Sequence, residues 1–208
     1  MKKWQNPTSF IVYLSAIVLA VSAVVGTTDE GEGGPLDPKL IPKFVDPLVI
    51  PPAMRPHGQG KKITTYRIAV REFDQQVLPS KGWGGDPNTP FPKTTVWGYG
   101  RAGDPLPGSG EASSFNFPAF TVETRTNARV QVTWINQLVD DPDSDQPQFL
   151  PHLLPVDQTL HWSNPPGPPD TRGNDPSPYL GPVPMVTHVH GAHVADHSDG
   201  FPEAWYLP

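Results

Sequence analysis

The chain has 208 residues, no cysteine and a formal net charge of −6, with no basic stripe along it. Phosphate backbones are held by clustered Lys and Arg, so nucleic acid is excluded as a partner class. The missing thiol excludes disulfides, thiolate metal ligands and cysteine nucleophiles, which leaves core packing, metal or a partner to hold the fold.

In chain order, Lys2 and Lys3 are followed by an apolar run over residues 10–25, with small residues at Val21-Ser22-Ala23. That is the basic region, apolar region and cleavage site of an export signal. The run is a little short for a spanning helix of about 20 residues, though an uncleaved anchor is the other reading. Residues 1–26 are therefore expected to be a signal peptide or N-terminal anchor, and residues 27–42 a flexible acidic spacer. Nothing after residue 26 is apolar enough to cross a bilayer. The protein is expected to be exported, to a periplasmic, cell-surface or extracellular location. Residues 43–208 are enough for one domain with its own core.

Two kinds of segment alternate in that domain. "KKITTYRIAVREFDQQ" (61–76) sets Ile63, Thr65, Arg67 and Ala69 against Thr64, Tyr66, Ile68 and Val70. "TTVWGYG" (94–100) is β-branched and aromatic. "FPAFTVETRTNARVQVTWINQL" (117–138) reads as two strands around a turn at Thr126-Asn127, with Val130, Val132, Trp134 and Asn136 on one face of the second. "MVTHVHGAH" (185–193) reads as a last strand. All four have period-two patterning and β-favouring residues. Between them lie Pro- and Gly-rich stretches such as "RAGDPLPGSGEASS" and "NPPGPPDTRGNDPSPYLGP", which hold many of the 29 prolines and 19 glycines and read as long surface loops. No useful helical stretch follows residue 26. Short strands joined this way predict an all-β, Greek-key β-sandwich or barrel. Trp97, Tyr99 and Trp134 are expected in its core.

The chemistry is concentrated near the end. "THVHGAHVADHSDGFPEAW" (187–205) carries His188, His190, His193 and His197, four of the seven histidines. Residues two apart in a strand point to one side, with Cα atoms about 6.5–7 Å apart. Two imidazoles projected this way can grip one ion or reach two neighbours, and neutral imidazole suits copper, zinc, iron or nickel. A pair of solvated or hydrogen-bonded histidines is the plainer alternative. Gly191, directly after the pair, permits close approach of backbone or ligand. Several families use a His-x-His strand and fit poorly: a cupin wants Glu where Val194 and Ala195 stand, and a metallo-β-lactamase wants Asp where Ala192 stands. "DDPDSDQ" (140–146) places Asp141, Asp143 and Asp145 at calcium-loop spacing, but Gln146 and His152 occupy the Gly and Glu positions, so it reads as a solvated acidic loop.

The segment 187–205 resembles the first copper motif of the multicopper oxidases, in the bacterial spore-coat laccase and bilirubin oxidase branch, where the pattern is H-x-H-G followed by S-D-G-[YF]-P-E-A-W. "KFVDPLVIPPAMRP" (43–56), "TTVWGYG", "FPAFTVETRTNARVQVTWINQL" and "HLLPVDQTLHWSN" (152–164) are similar to earlier parts of the same first domain. The resemblance implies a cupredoxin-like domain over residues 43–208 and a copper enzyme. Such enzymes oxidise phenols, bilirubin-like tetrapyrroles or metal ions one electron at a time and reduce dioxygen to water. By resemblance His188 is a type 2 copper ligand, His190 a type 3 ligand, and Asp199 a proton-passing catalytic group near the cluster. An Asp before Gly200 equally suits a plain turn. His193 and His197 depart from the pattern and read as solvated or supporting groups, and His152 and His161 as structural.

The family's second motif, Trp-x-His-x-His, and the Cys-bearing type 1 motif are not in this sequence, which offers two of the eight cluster histidines. The chain is thus expected to be the N-terminal piece of an oxidase, its first cupredoxin domain cut short, without the C-terminal cupredoxin domains and inactive alone. Dioxygen and a small reducing substrate are the expected partners of the whole enzyme. The rival readings are a non-catalytic exported module binding copper through His188, His190, His193 and His197, and a β-sandwich interaction domain with incidental histidines.

Overall fold

The computed structural model describes residues 36–60, 62–157, 179–201 and 204–208. The chain divides into two units, Met1–Leu40 and Ile41–Pro208. Of the first, the described part is a single 3-10 turn, Pro38–Leu40. Asp37 starts that turn twice over: its carbonyl accepts the Leu40 N–H and its carboxylate the Lys39 N–H, each at 2.9 Å. The expected signal segment, residues 1–26, lies outside the described residues, as does most of the spacer. No described helix is long and apolar enough to cross a membrane.

The second unit is all-β. Its strands are β1 (Gly58–Gln59), β2 (Ile63–Gln75), β3 (Thr94–Arg101) and β4 (Arg129–Asn136). β2 pairs antiparallel with β1 and β3 and parallel with β4. Residues 68–70 of β2 pair with both β3 and β4, so these two strands flank it in one open sheet. The fold fits a cupredoxin-like domain. Two 3-10 turns, Trp83–Gly85 and Asp196–Ser198, complete the regular elements of this unit among the described residues.

The two-residue alternation of β2 decides what each face does. Ala69 and Phe73 point to one face, where they pack with Val96 and Phe115, and with half-buried Ile135 of β4. Tyr66 and Ile68 point to the other, against Met54, Phe120, Val130 and Val132. Val70 continues that second face into a cluster with Leu138 and Val183. Burying each such side chain stabilises the fold by about 1.5–3 kcal/mol. The first face needs the glycines of β3. A Cβ on Gly98 would come within 2.6 Å of the Phe73 ring and 2.8 Å of the Asn116 carbonyl. A Cβ on Gly100 would strike the Phe115 ring.

Two expected strands are not strands. Over 117–125 the turn forms at Thr126-Asn127, with Asn127 at φ 64°, but the segment before it makes only isolated bridges, Ala53 with Thr121 and, just upstream, Tyr99 with Asn116. Pro118 has no N–H to give a ladder. A side chain takes over that function: the Gln75 amide donates to the Phe117 carbonyl at 2.6 Å and accepts its N–H at 2.8 Å. Residues 185–193 are an irregular strap rather than a last strand. Met185 exchanges both backbone hydrogen bonds with Tyr206, at 2.9 and 3.0 Å, and the pairing stops there. Gly191, at φ 74°, then turns the chain, with the Ala192 N–H donating to the Val189 carbonyl at 3.3 Å.

Candidate metal centre

The strap is anchored from the end of β4. Asn136 is a buried amide on the same face as Val130, Val132 and Trp134. Its Nδ2 donates to the Val183 carbonyl at 2.8 Å and, more weakly, to the Tyr206 carbonyl at 3.4 Å. Its Oδ1 accepts the Leu138 N–H at 3.1 Å. A buried amide without partners would cost about 1–3 kcal/mol, so these bonds fix where the strap leaves the core. Val183 is held in the cluster with Val70 and Leu138, and Met185 packs beside it. From there Val186, Thr187, His188 and His190 line an open cleft whose opposite wall is Tyr99 of β3 and Trp134 of β4.

The two imidazoles share this cleft. Their ring centroids are 6.1 Å apart, with the ring planes at 81°. Residues two apart share a side in a strand, and these two rings lie close together although the segment pairs with no strand. Tyr99 and Trp134 meet edge to face, with centroids 5.2 Å apart. Burial raises the Tyr99 phenol pKa above its ordinary value, and the neighbouring Tyr206 adds to the shift. The wall beside the histidines is thus aromatic and uncharged.

The chain returns to His188 through a second turn. Ala195 leads into Asp196–Ser198, and the Asp199 N–H closes the turn on the Asp196 carbonyl at 3.0 Å. Gly200 follows at φ 84°, where an added Cβ would be in close contact with the His188 side chain. Asp199 is exposed, one residue from that contact. The Asp-Gly pair therefore does form a turn, and the turn stands beside the histidine pair. His193 and His197 are both exposed; His197 Nδ1 lies 3.6 Å from the Asp196 carboxylate. Among the described residues, no three His, Asp or Glu side chains are grouped so as to hold one ion. Two imidazoles fit copper as part of a coordination shell, and the chain's lack of Cys rules out a thiolate complement from within it.

His152 sits elsewhere. Its ring packs between Trp97, at 6.1 Å between centroids, and Tyr179, at 5.3 Å. Burial lowers its pKa, and its buried Nε2 has no hydrogen-bond partner among the described residues. Tyr179 is fixed by its hydroxyl, which donates to the Pro182 carbonyl at 2.6 Å. Trp97 is fixed by its Nε1, which donates to the Glu72 carboxylate at 2.9 Å. These contacts agree with a structural part for His152. His161 lies outside the described residues. In the acidic loop the carboxylates bind their own backbone: Asp140 accepts N–H groups of Asp141 and Gln148 at 2.7 and 2.8 Å, and Asp141 accepts that of Asp143 at 3.0 Å.

Sequence reasoning put Tyr99 and Trp134 in the core and gave Gly200 only a turn. Trp134 is in fact 36% exposed and faces the histidines. Its shared parity with Asn136 carried the signal, since Asn136 marks the end of that face where the strap is tied.

No protein-family model matches the chain. Among curated proteins it is 32% identical to a laccase of Bacillus subtilis over 164 residues, which cover 79% of this chain and 23% of that protein. It is 32% identical to a laccase of Haloferax volcanii along its whole length, which spans 28% of that relative. A rice protein, multicopper oxidase LPR1 homolog 3, matches 56% of the chain at 32% identity. The chain spans about a quarter of the length of the laccases it matches.

Proposed function

Since the chain belongs to the multicopper oxidase family, we propose that it is the N-terminal cupredoxin-like part of an exported laccase-like enzyme of the spore-coat laccase and bilirubin oxidase branch. The observation that carries this reading is the His188–His190 pair: two rings 6.1 Å apart in a cleft lined by Tyr99 and Trp134. His188 serves as a type 2 copper ligand and His190 as a type 3 ligand. Copper held in part by His188 and His190 would supply one-electron chemistry toward dioxygen once its shell is complete. The chain's own residues have narrower tasks. Asn136, Val183 and the Met185–Tyr206 bridge hold the strap; Tyr99 and Trp134 keep bulk water off one side of the pair; Asp199, in its exposed turn, supplies protons from solvent. Two histidines are a partial share of such a cluster, and the chain spans about a quarter of the length of the laccases it matches. The reducing substrate is a phenol, a bilirubin-like tetrapyrrole or a metal ion. Export is supported by Lys2, Lys3 and the apolar run over 10–25.

Copper titration of the purified chain, followed by electron paramagnetic resonance, tests the ligand assignment. The wild type is expected to bind Cu(II) weakly, and the His188→Ala/His190→Ala variant to lose that binding. Unchanged binding in the double variant would sink the assignment. Binding that needs His193 and His197 as well would favour a copper-holding module instead. The copper-loaded chain alone is expected to consume no dioxygen with a phenolic reductant. Sustained uptake in an oxygen electrode would contradict the incomplete-cluster reading.

A further inference from the structure

Gly200 does more than turn the chain. It stands at φ 84°, in the left-handed region that side chains avoid, and the space a side chain would fill there is taken by His188. A Cβ built there would come within 3.2 Å of both Cβ and Nδ1 of His188 and 3.5 Å of its Cγ. Those three atoms define the Nδ1 edge of the ring and its attachment to the backbone. Gly191 makes the contrast. It also has a positive φ, 74°, and directly follows His190, yet a Cβ there would meet nothing within 4 Å. One glycine is required by backbone conformation alone; the other is required by conformation and by contact with a histidine.

We propose that Gly200 is a positioning residue for His188: lacking a Cβ, it leaves the imidazole the room to keep its rotamer, with the Nδ1 edge turned toward Gly200 and Nε2 left as the nitrogen free to ligate. The reason is steric. A histidine side chain near the surface has several staggered rotamers, and ordering it before a ligand arrives spares that entropy at binding. Glycine leaves the ring where it is, whereas a Cβ at this position would press on its Nδ1 edge and push it toward another rotamer. The direction of the ring follows from which edge is covered. This goes beyond the copper assignment but rests on it for the identity of the ligand.

Two comparisons test the proposal separately from that assignment. In the metal-free chain, the His188 ring resonances and a Gly200 Hα to His188 Hβ Overhauser contact report positioning directly. Gly200→Ala is expected to shift and broaden the His188 ring signals, and Gly191→Ala, with the same backbone penalty, to leave them in place. Equal effects of the two changes would overturn the proposal. If Gly200→Ala fails to fold, Gly200→Asn replaces it, because Asn tolerates positive φ while still adding a Cβ. Adding copper(I) to the oxygen-free wild type should then perturb Nε2 of His188 in long-range proton–nitrogen spectra, and Gly200→Ala should weaken binding roughly ten- to hundredfold, the range for removing support from a metal ligand. Metal on Nδ1 would overturn the proposal. A wild type that binds no copper would sink the metal reading, while the metal-free ring signals would still decide whether Gly200 positions His188.

Discussion

His152 packs between two aromatic rings, its buried Nε2 without a partner among the described residues. Burial disfavours the imidazolium, so the folded chain binds this proton less tightly than the unfolded chain, whose histidine has the ordinary pKa of 6.5. Above that value both states are neutral there and the group costs nothing. As pH falls below it, the unfolded state takes up the proton first and stability declines until the folded pKa is passed. The urea midpoint of the wild type is therefore expected to drop between about pH 7.5 and about pH 5.5, and the drop to be shallower in His152→Leu. Equal slopes in the two proteins would mean the imidazole is not the responsible group. This position was legible only in part. Its lead-in segment suggested a structural residue, but the Trp97 and Tyr179 partners are far away in sequence and come together through the sheet.

At the scale of elements, what the sequence predicted best was β2. The alternation of Thr64, Tyr66, Ile68 and Val70 against Ile63, Thr65, Arg67 and Ala69 is the alternation of its two faces. β4 was equally plain, because Val130, Val132 and Trp134 fall on one side and Ile135 on the other. Residues 117–125 and 185–193 were misread for a common reason: β-favouring composition reports a preference for extended backbone, not the presence of a pairing edge. In the first, the Gln75 side chain stands in for a strand; in the second, a single bridge to Tyr206 does. The strap therefore depends on Asn136. Asn136→Ala should destabilise the protein by about 1–3 kcal/mol in urea denaturation, by leaving the Val183 carbonyl and the Leu138 N–H without their buried partner. It should also shift the His188 and His190 ring signals. Ile135→Ala, on the opposite face, should lower stability comparably or more, about 2–5 kcal/mol, without moving those signals. If both variants moved them alike, the strap would be held by the sheet as a whole rather than by one amide.

For the molecule as a whole, the histidine pair was legible because i, i+2 geometry survives the loss of the ladder, and the aromatic wall was not, because it is assembled from β3 and β4, far upstream of the strap. The same assembly leaves much apolar surface uncovered. In residues 43–56, Phe44 is 100% exposed, Leu48 93% and Ile50 84%. The arm is tied at its far end, where the Met54 N–H donates to the Thr121 carbonyl at 2.8 Å, and near its start, where the Asp46 carboxylate accepts the Ser80 N–H at 2.9 Å. Between those ties the apolar side chains face solvent. Runs of exposed apolar residues in extended backbone favour association with any similar surface, including another copy. The 208-residue chain is accordingly expected to self-associate with rising concentration in sedimentation velocity, and Leu48→Glu/Ile50→Glu to shift it toward monomer. Because both side chains are exposed, the substitutions should leave the urea midpoint within about 0.5 kcal/mol of wild type. A wild type that stays monomeric at roughly 100 μM, well above the range where such contacts form aggregates, would show that the arm's apolar side chains are harmless in this chain.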